Sequence, residues 1–346
     1  VIRRLAGVVF VVCALLALFA DTAFGEAPAG PRLAFLSSPI RRSEILSVDP
    51  SGGEPLAIAG GGEAVRPLPL PFSSITWSPD GSLLAFTGFS GSQKEPGFDL
   101  YLVGADGSDE RRIPGTRDAL YPLFSPDGRG VAFTRIDRSS LFGPGKRGRP
   151  RPRYSTWLAD LAAGTVARLP TKVSDLASSF SPDGSKLAVS RTGKGLTADA
   201  VVIDLATGRS SVLARNAAGP VYSPDGSRIA FLRGPKRTFR VGGGSATEVL
   251  TDIYTMNADG SAVTRVTRTP RQIEVGPAWD PSGQRLAFAQ LQAGADEGDL
   301  LGVGDSLMEV NPDGSCRTRV ASDPKTILFS PVWQPGLGRE AGRISC

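Results

Sequence analysis

Ser78-Pro79-Asp80-Gly81 decides the fold, because the chain repeats it. The same four residues return at Ser125-Pro126-Asp127-Gly128, Ser181-Pro182-Asp183-Gly184 and Ser223-Pro224-Asp225-Gly226. Asp280-Pro281-Ser282-Gly283 is a degenerate copy and Gln334-Pro335-Gly336 a truncated one. Successive prolines lie 47, 56, 42, 57 and 54 residues apart. Self-similarity at a period of roughly 50 residues signals stacked supersecondary units.

Each copy is a tight turn. Proline presets φ, the aspartate side chain bonds the backbone ahead, and glycine accepts a positive φ. Around the first copy, Ile75-Thr76-Trp77 reads as one strand and Leu83-Leu84-Ala85-Phe86 as the next. Asp99 to Val103 alternates as a third strand, and Ala105-Asp106-Gly107-Ser108 turns the chain into a fourth near Arg111. The second-strand phrase returns as Val131-Ala132-Phe133, Leu187-Ala188-Val189, Ile229-Ala230-Phe231 and Leu286-Ala287-Phe288. Four antiparallel strands in each unit describe a propeller blade.

Proline stands inside the first strand at Pro122, Pro220, Pro277 and Pro331. Proline has no N–H to donate, so this strand must be an edge, as the channel-lining strand of a blade is. The ends are complementary. Leu33-Ala34-Phe35 is a second strand with no first strand before it, and Ser330 to Trp333 is a first strand with no second strand after it. The reading is an all-β, six-bladed β-propeller whose N- and C-terminal strands close one blade. Closure removes the exposed edges of an open array.

This phrase set resembles the TolB-like β-propeller repeats, over about residues 31 to 336. The resemblance implies the propeller fold and leaves function open, because one fold serves many sites. A component of a Tol-type envelope complex is one function it implies. The TolB protein carries a further domain before its propeller, and peptidases with such propellers carry a hydrolase domain. The expectation here is a bare propeller spanning 26–346 with a short C-terminal tail.

Arg3 and Arg4 followed by the apolar run Leu5 to Ala20, with Ala23-Phe24-Gly25, read as a signal peptide over 1–25. An uncleaved membrane anchor is the other reading of the same segment. Either makes the protein secreted, periplasmic or held in the cell envelope. Removal of the signal leaves Cys316 and Cys346, which pair in an exported chain and contribute roughly 3 kcal/mol by loop closure.

The chain has no histidine, which excludes Ser-His-Asp triads, histidine bases and histidine-ligated metals. A formal charge of +5 demands no nucleic-acid partner, and export argues against one. No phosphate loop or nucleophile elbow is present.

Both turns of a blade fall on one face, so the variable connections share the other. The third blade inserts Lys146, Arg147, Arg149, Arg151 and Arg153 there, and the fifth Lys236, Arg237 and Arg240. The sixth adds Asp296, Glu297, Asp299 and Asp305. Long loops on a rigid scaffold are where binding resides. The expectation is a binding or scaffolding module that engages a protein, peptide or envelope glycan through these loops.

Asp118, Asp175 and Glu274 lie just ahead of first strands, where a partial carboxylate ring could hold Ca²⁺ or serve a hydrolase or lactonase. Otherwise no cofactor is implied. Asp80, Asp127, Asp183 and Asp225 fit turn chemistry. Trp77, Phe124, Phe180, Tyr222, Trp279 and Trp333, two residues before each turn proline, fit packing between blades.

Overall fold

A strand that reads Leu84-Ala85-Phe86 has no polar face, so it needs a sheet packed on each side. The structure supplies them. It is a computed structural model describing residues 32–38, 43–50, 53–60, 67, 74–91, 96–137, 153–173, 175–193, 197–241, 244–292, 305–323, 326–336 and 343–346. The segment read as a signal peptide and the basic residues Lys146 to Arg151 lie outside them.

Six four-stranded antiparallel sheets stand around a central axis. The first blade takes its innermost strand, Ile327–Trp333, from the end of the chain, and then Leu33–Ser38, Glu44–Val48 and Leu56–Ala59 from its beginning. Leu33 pairs with Trp333 and Ser38 with Ile327, so the two ends of the chain close one sheet. The second blade is Ile75–Trp77, Leu83–Gly91, Pro96–Gly104 and Arg111–Arg112. The third is Ala119–Phe124, Gly130–Ile136, Tyr154–Asp160 and Val166–Arg168, and the fourth Asp175–Phe180, Lys186–Thr192, Ala198–Asp204 and Ser210–Ala214. The fifth is Ala218–Tyr222, Arg228–Arg233, Asp252–Asn257 and Thr264–Arg265. The sixth is Gln272–Trp279, Leu286–Gln292, Asp305–Val310 and Thr318–Asp323.

The second strands form the core. Phe35, Phe86, Phe133, Phe231 and Phe288 are at most 1% exposed. Each is preceded by an alanine, and the alanine of one blade meets the bulky residues of the next. Ala85 clusters with Val131 and Phe133, Ala188 with Ile229 and Phe231, and Ala230 with Leu286 and Phe288. A small residue facing a large one lets twisted sheets interdigitate at the density of a protein interior.

The turns do two jobs. Ser78 Oγ donates to Asp80 Oδ1 at 2.5 Å and accepts from Leu83 N at 2.9 Å, while Gly81 N donates to Ser78 O at 2.9 Å. The second job is blade-to-blade contact. A methyl group on Gly226 would sit 3.2 Å from Pro182 Cδ of the preceding blade, and φ there is already +71°. One on Gly107 in the second turn would sit 3.0 Å from Ile58 O of the preceding blade. The repeated Pro and Gly are thus packing residues between blades as well as turn formers.

The innermost strands are edges, as their prolines require. Four of them bulge beside the proline, where Tyr121, Gly219, Gly276 and Ser330 take φ of 54°, 58°, 61° and 50°. The register slips at the same places, between Leu120 and Leu123, Ala218 and Val221, and Val275 and Ala278. The fifth-blade insert, read above as a loop, is a β-hairpin of Lys236–Val241 and Gly244–Val249 that forms a two-stranded sheet of its own. Cys316 and Cys346 form a disulfide with Cα atoms 5.2 Å apart. Ile344 N donates to Asn311 Oδ1 at 3.0 Å and fixes the tail on the sixth blade.

Candidate functional site

First strands from all six blades line a central cavity of about 620 Å³. Trp77, Phe180, Tyr222, Trp279 and Trp333 form part of its wall, so most of the aromatics read as packing residues also line the channel. Phe124 does not, and packs against Val131 and Phe133. Trp279 is fixed from two sides: its Nε1 donates to Val221 O at 3.1 Å, and the Arg228 guanidinium lies 4.7 Å from its ring. Among the described residues the wall has no carboxylate, ammonium, guanidinium or thiol. Its two phenols stay protonated at neutral pH, because burial pushes Tyr121 up to about 12 and also raises Tyr222. Acid–base catalysis at neutral pH needs groups that titrate near it.

The three channel-mouth carboxylates stand on different blades, and each has its own surroundings. Asp118 has φ 60° and acts electrostatically on Arg135. Asp175 is fully buried and gripped at both oxygens by Arg191, at 2.7 and 2.9 Å, with Lys172 N donating to it as well. Glu274 is fully buried among Thr267, Thr269 and Ile253 N. Among the described residues no group of three acidic or thiol side chains is placed to hold a metal ion.

Glu274 belongs to a network that spans two blades. Thr269 Oγ1 lies 3.1 Å from both Glu274 Oε1 and Asp252 Oδ1. A hydroxyl has one hydrogen, so it cannot donate to two ionised carboxylates at once. Thr269 Oγ1 is thus shared between the two carboxyl groups, and Thr267 Oγ1 donates to the other oxygen of Glu274. Desolvation raises the Glu274 pKa and Asp252 adds to the rise, against hydrogen bonds from Thr267 and Thr269 and the Arg317 charge. A carboxyl raised in the folded state contributes stability that is complete below about pH 4.3, the unfolded value, and lost as pH climbs through the folded one. Glu274→Gln is therefore expected to gain on the wild type as pH rises from 4 to 7. Paired thermal melts check this, and a midpoint difference that stays flat or falls would contradict it.

The turn aspartates show the opposite sign. Hydrogen bonds from Ser181 and Ser223 lead the causes that hold Asp183 and Asp225 at about 2. Their contribution is present above the unfolded carboxylate range and lost as pH falls towards 2. This is turn chemistry.

Of the proposed binding residues, Arg153 and Lys236 are exposed and Arg237 is half-buried. Lys236, Arg237 and Arg240 lie along one strand of the hairpin. Lys146, Arg147, Arg149, Arg151, Asp296, Glu297 and Asp299 fall outside the described residues, and Asp305 begins the third strand of its blade. Sequence reading missed the threonine caps. Thr116 Oγ1 accepts from Leu100 N at 3.1 Å and Thr267 Oγ1 from Ile253 N at 2.9 Å, each serving the third strand of its blade.

No protein-family model matches the chain. The Tol-Pal system protein TolB of Anaeromyxobacter dehalogenans is 46% identical over 65 residues, which is 19% of this chain and 12% of that protein. The crystal structure of TolB from Acinetobacter baumannii superposes with a TM-score of 0.61 at 21% identity, covering 88% of this chain and 66% of that one. The chain is a TolB-like six-bladed β-propeller. Hydrazine synthase of Kuenenia stuttgartiensis also superposes, with a TM-score of 0.63 at 13% identity over 92% of this chain and 48% of that one. The TolB-like propeller therefore shares its architecture with proteins of different names and roles. At such identities the likeness shows the fold alone.

Proposed function

We propose that this TolB-like propeller is an exported binding and scaffolding module of the cell envelope, and that its partner is a protein or peptide. The observation that carries the reading is the closed six-blade ring, whose channel is walled among the described residues mainly by aromatic, proline and small residues. Basic inserts on one face supply the contact surface: Lys146, Arg147, Arg149, Arg151 and Arg153 in the third blade, and Lys236, Arg237 and Arg240 in the fifth. The match to a Tol-Pal system protein supports a Tol-type envelope complex as the assembly, and an envelope location with it.

The test is affinity capture of envelope proteins from the native host, followed by binding of each identified partner in purified form. The variant carrying Arg147→Ala, Arg149→Ala, Arg151→Ala and Arg153→Ala is expected to bind such a partner at least about tenfold more weakly, at a few tenths of a kcal/mol for each charge removed. Undiminished binding would remove the basic insert from the reading. Failure of every purified candidate to bind the wild type would remove the reading itself.

A further inference from the structure

The connections between blades carry a feature that the inserts do not. Arg117, Lys172, Arg215 and Arg271 lie nine or ten residues ahead of the turn prolines Pro126, Pro182, Pro224 and Pro281. That offset places each on the crossing from the outer strand of one blade to the inner strand of the next, and so on the loop face. Arg268 shares the crossing from the fifth blade to the sixth. All five side chains are exposed, and among the described residues none takes part in an ion pair.

Several acids at the same end of the blades are engaged within the fold, among them Asp118, which acts on Arg135, and Asp199, which accepts from Asn216 N. Asp175 holds Arg191, Asp252 holds Arg265 and Asp99 holds Arg112. Glu274 is buried in its threonine network with Arg317 3.8 Å away. Pairing within the blades compensates these carboxylates, and the five exposed cations form an arc along the crossings of four successive blade pairs. The opposite face has the reverse balance, with Asp80, Asp127, Asp183 and Asp225 ionised in the turns.

We infer that this arc docks a carboxylate-rich polypeptide segment. The inference rests on the binding reading above and names the chemistry of the partner. Charge complementarity selects an acidic partner. Shape selects a chain over a bilayer. The Lys236–Val249 hairpin is a separate two-stranded sheet on this face, and strands of six residues reach about 20 Å. A separate hairpin of that reach beside the arc obstructs a flat bilayer, whereas an extended acidic chain can thread past it. Exposed Val173 beside Lys172 adds an apolar contact next to a cation.

The experiment uses the purified full chain and labelled poly-L-glutamate, with phosphatidylglycerol vesicles as the competing probe. Wild type is expected to bind polyglutamate at low ionic strength, weakening as salt shortens the Debye length. The variant Arg117→Glu, Lys172→Glu, Arg215→Glu, Arg271→Glu is expected to lose at least about tenfold in affinity. If it fails to fold, Arg215→Glu alone is expected to lose about two- to threefold with an unchanged melting midpoint. Three results would overturn the inference: no polyglutamate binding by wild type, equal binding by the charge-reversed protein, or tighter binding to the vesicles. Loss on alanine replacement of Arg147 to Arg153 with no loss on arc reversal would leave the binding reading standing and remove this one.

Discussion

A chain ended at Thr326 is expected not to fold. Such a truncation removes Ile327–Trp333, the innermost strand of the first blade. Leu328, Phe329 and Trp333 are 3%, 1% and 6% exposed, and each buried side chain of this size contributes about 2–3 kcal/mol. Their sum is comparable to the whole stability of a domain, about 5–15 kcal/mol. The ladder from Leu33↔Trp333 to Ser38↔Ile327 goes with them, as does the bond from Gln334 Nε2 to Gly81 O at 2.8 Å, which ties the first blade to the second. Leu33–Ser38 is then an apolar strand with an open edge, the kind that aggregates. Circular dichroism and gel filtration of the truncated chain are the measurement. A monomer with a cooperative melt near the wild-type midpoint would refute the closure argument. Because truncation also removes Cys346, full-length Cys346→Ser is the control; it is expected to fold with a loss of about 3 kcal/mol.

Phe86→Ala is expected to cost about 3–5 kcal/mol, and Phe89→Ala less than about 0.5 kcal/mol. Both residues lie in the strand Leu83–Gly91, three positions apart. Phe86 is fully buried, stacks on Tyr101 with ring centroids 5.7 Å apart, and clusters with Leu84 and Val103. Phe89 is 49% exposed. The comparison holds residue type and strand constant and varies only burial. Urea unfolding of both variants at one pH measures it. Equal losses would mean that the blade core does not carry the stability assigned to it.

The fold was legible because its signals are local. Pro, Asp and Gly act within four residues of one another, so Ser78 to Gly81 announces a turn without any distant partner. Pro122, Pro220, Pro277 and Pro331 announce an edge by the same logic, since each simply lacks a donor. Ring closure could be inferred because Leu33-Ala34-Phe35 is a phrase missing its predecessor. Glu274 was harder. Its partners Asp252, Thr267 and Thr269 come from the neighbouring blade, so their meeting depends on how two sheets pack. The threonine caps are hidden by loops of different length. The fifth-blade hairpin did leave a signal: Gly242-Gly243 between Val241 and Gly244 is the composition of a two-residue hairpin turn, and the pairing of Val241 with Gly244 matches it.

The meeting of both ends in one blade has a mechanical consequence. Leu33 and Trp333 sit opposite each other at the same end of an antiparallel pair. A force pulling residue 32 away from residue 334 therefore opens that ladder like a zipper, one bond at a time, instead of shearing all of them together. The Cys316–Cys346 bond changes the route of the load. Tension applied at Cys346 passes straight to Cys316 in the sixth blade and leaves Trp333 slack. In the oxidised protein, the seam that closes the ring is shielded from any pull arriving through the tail.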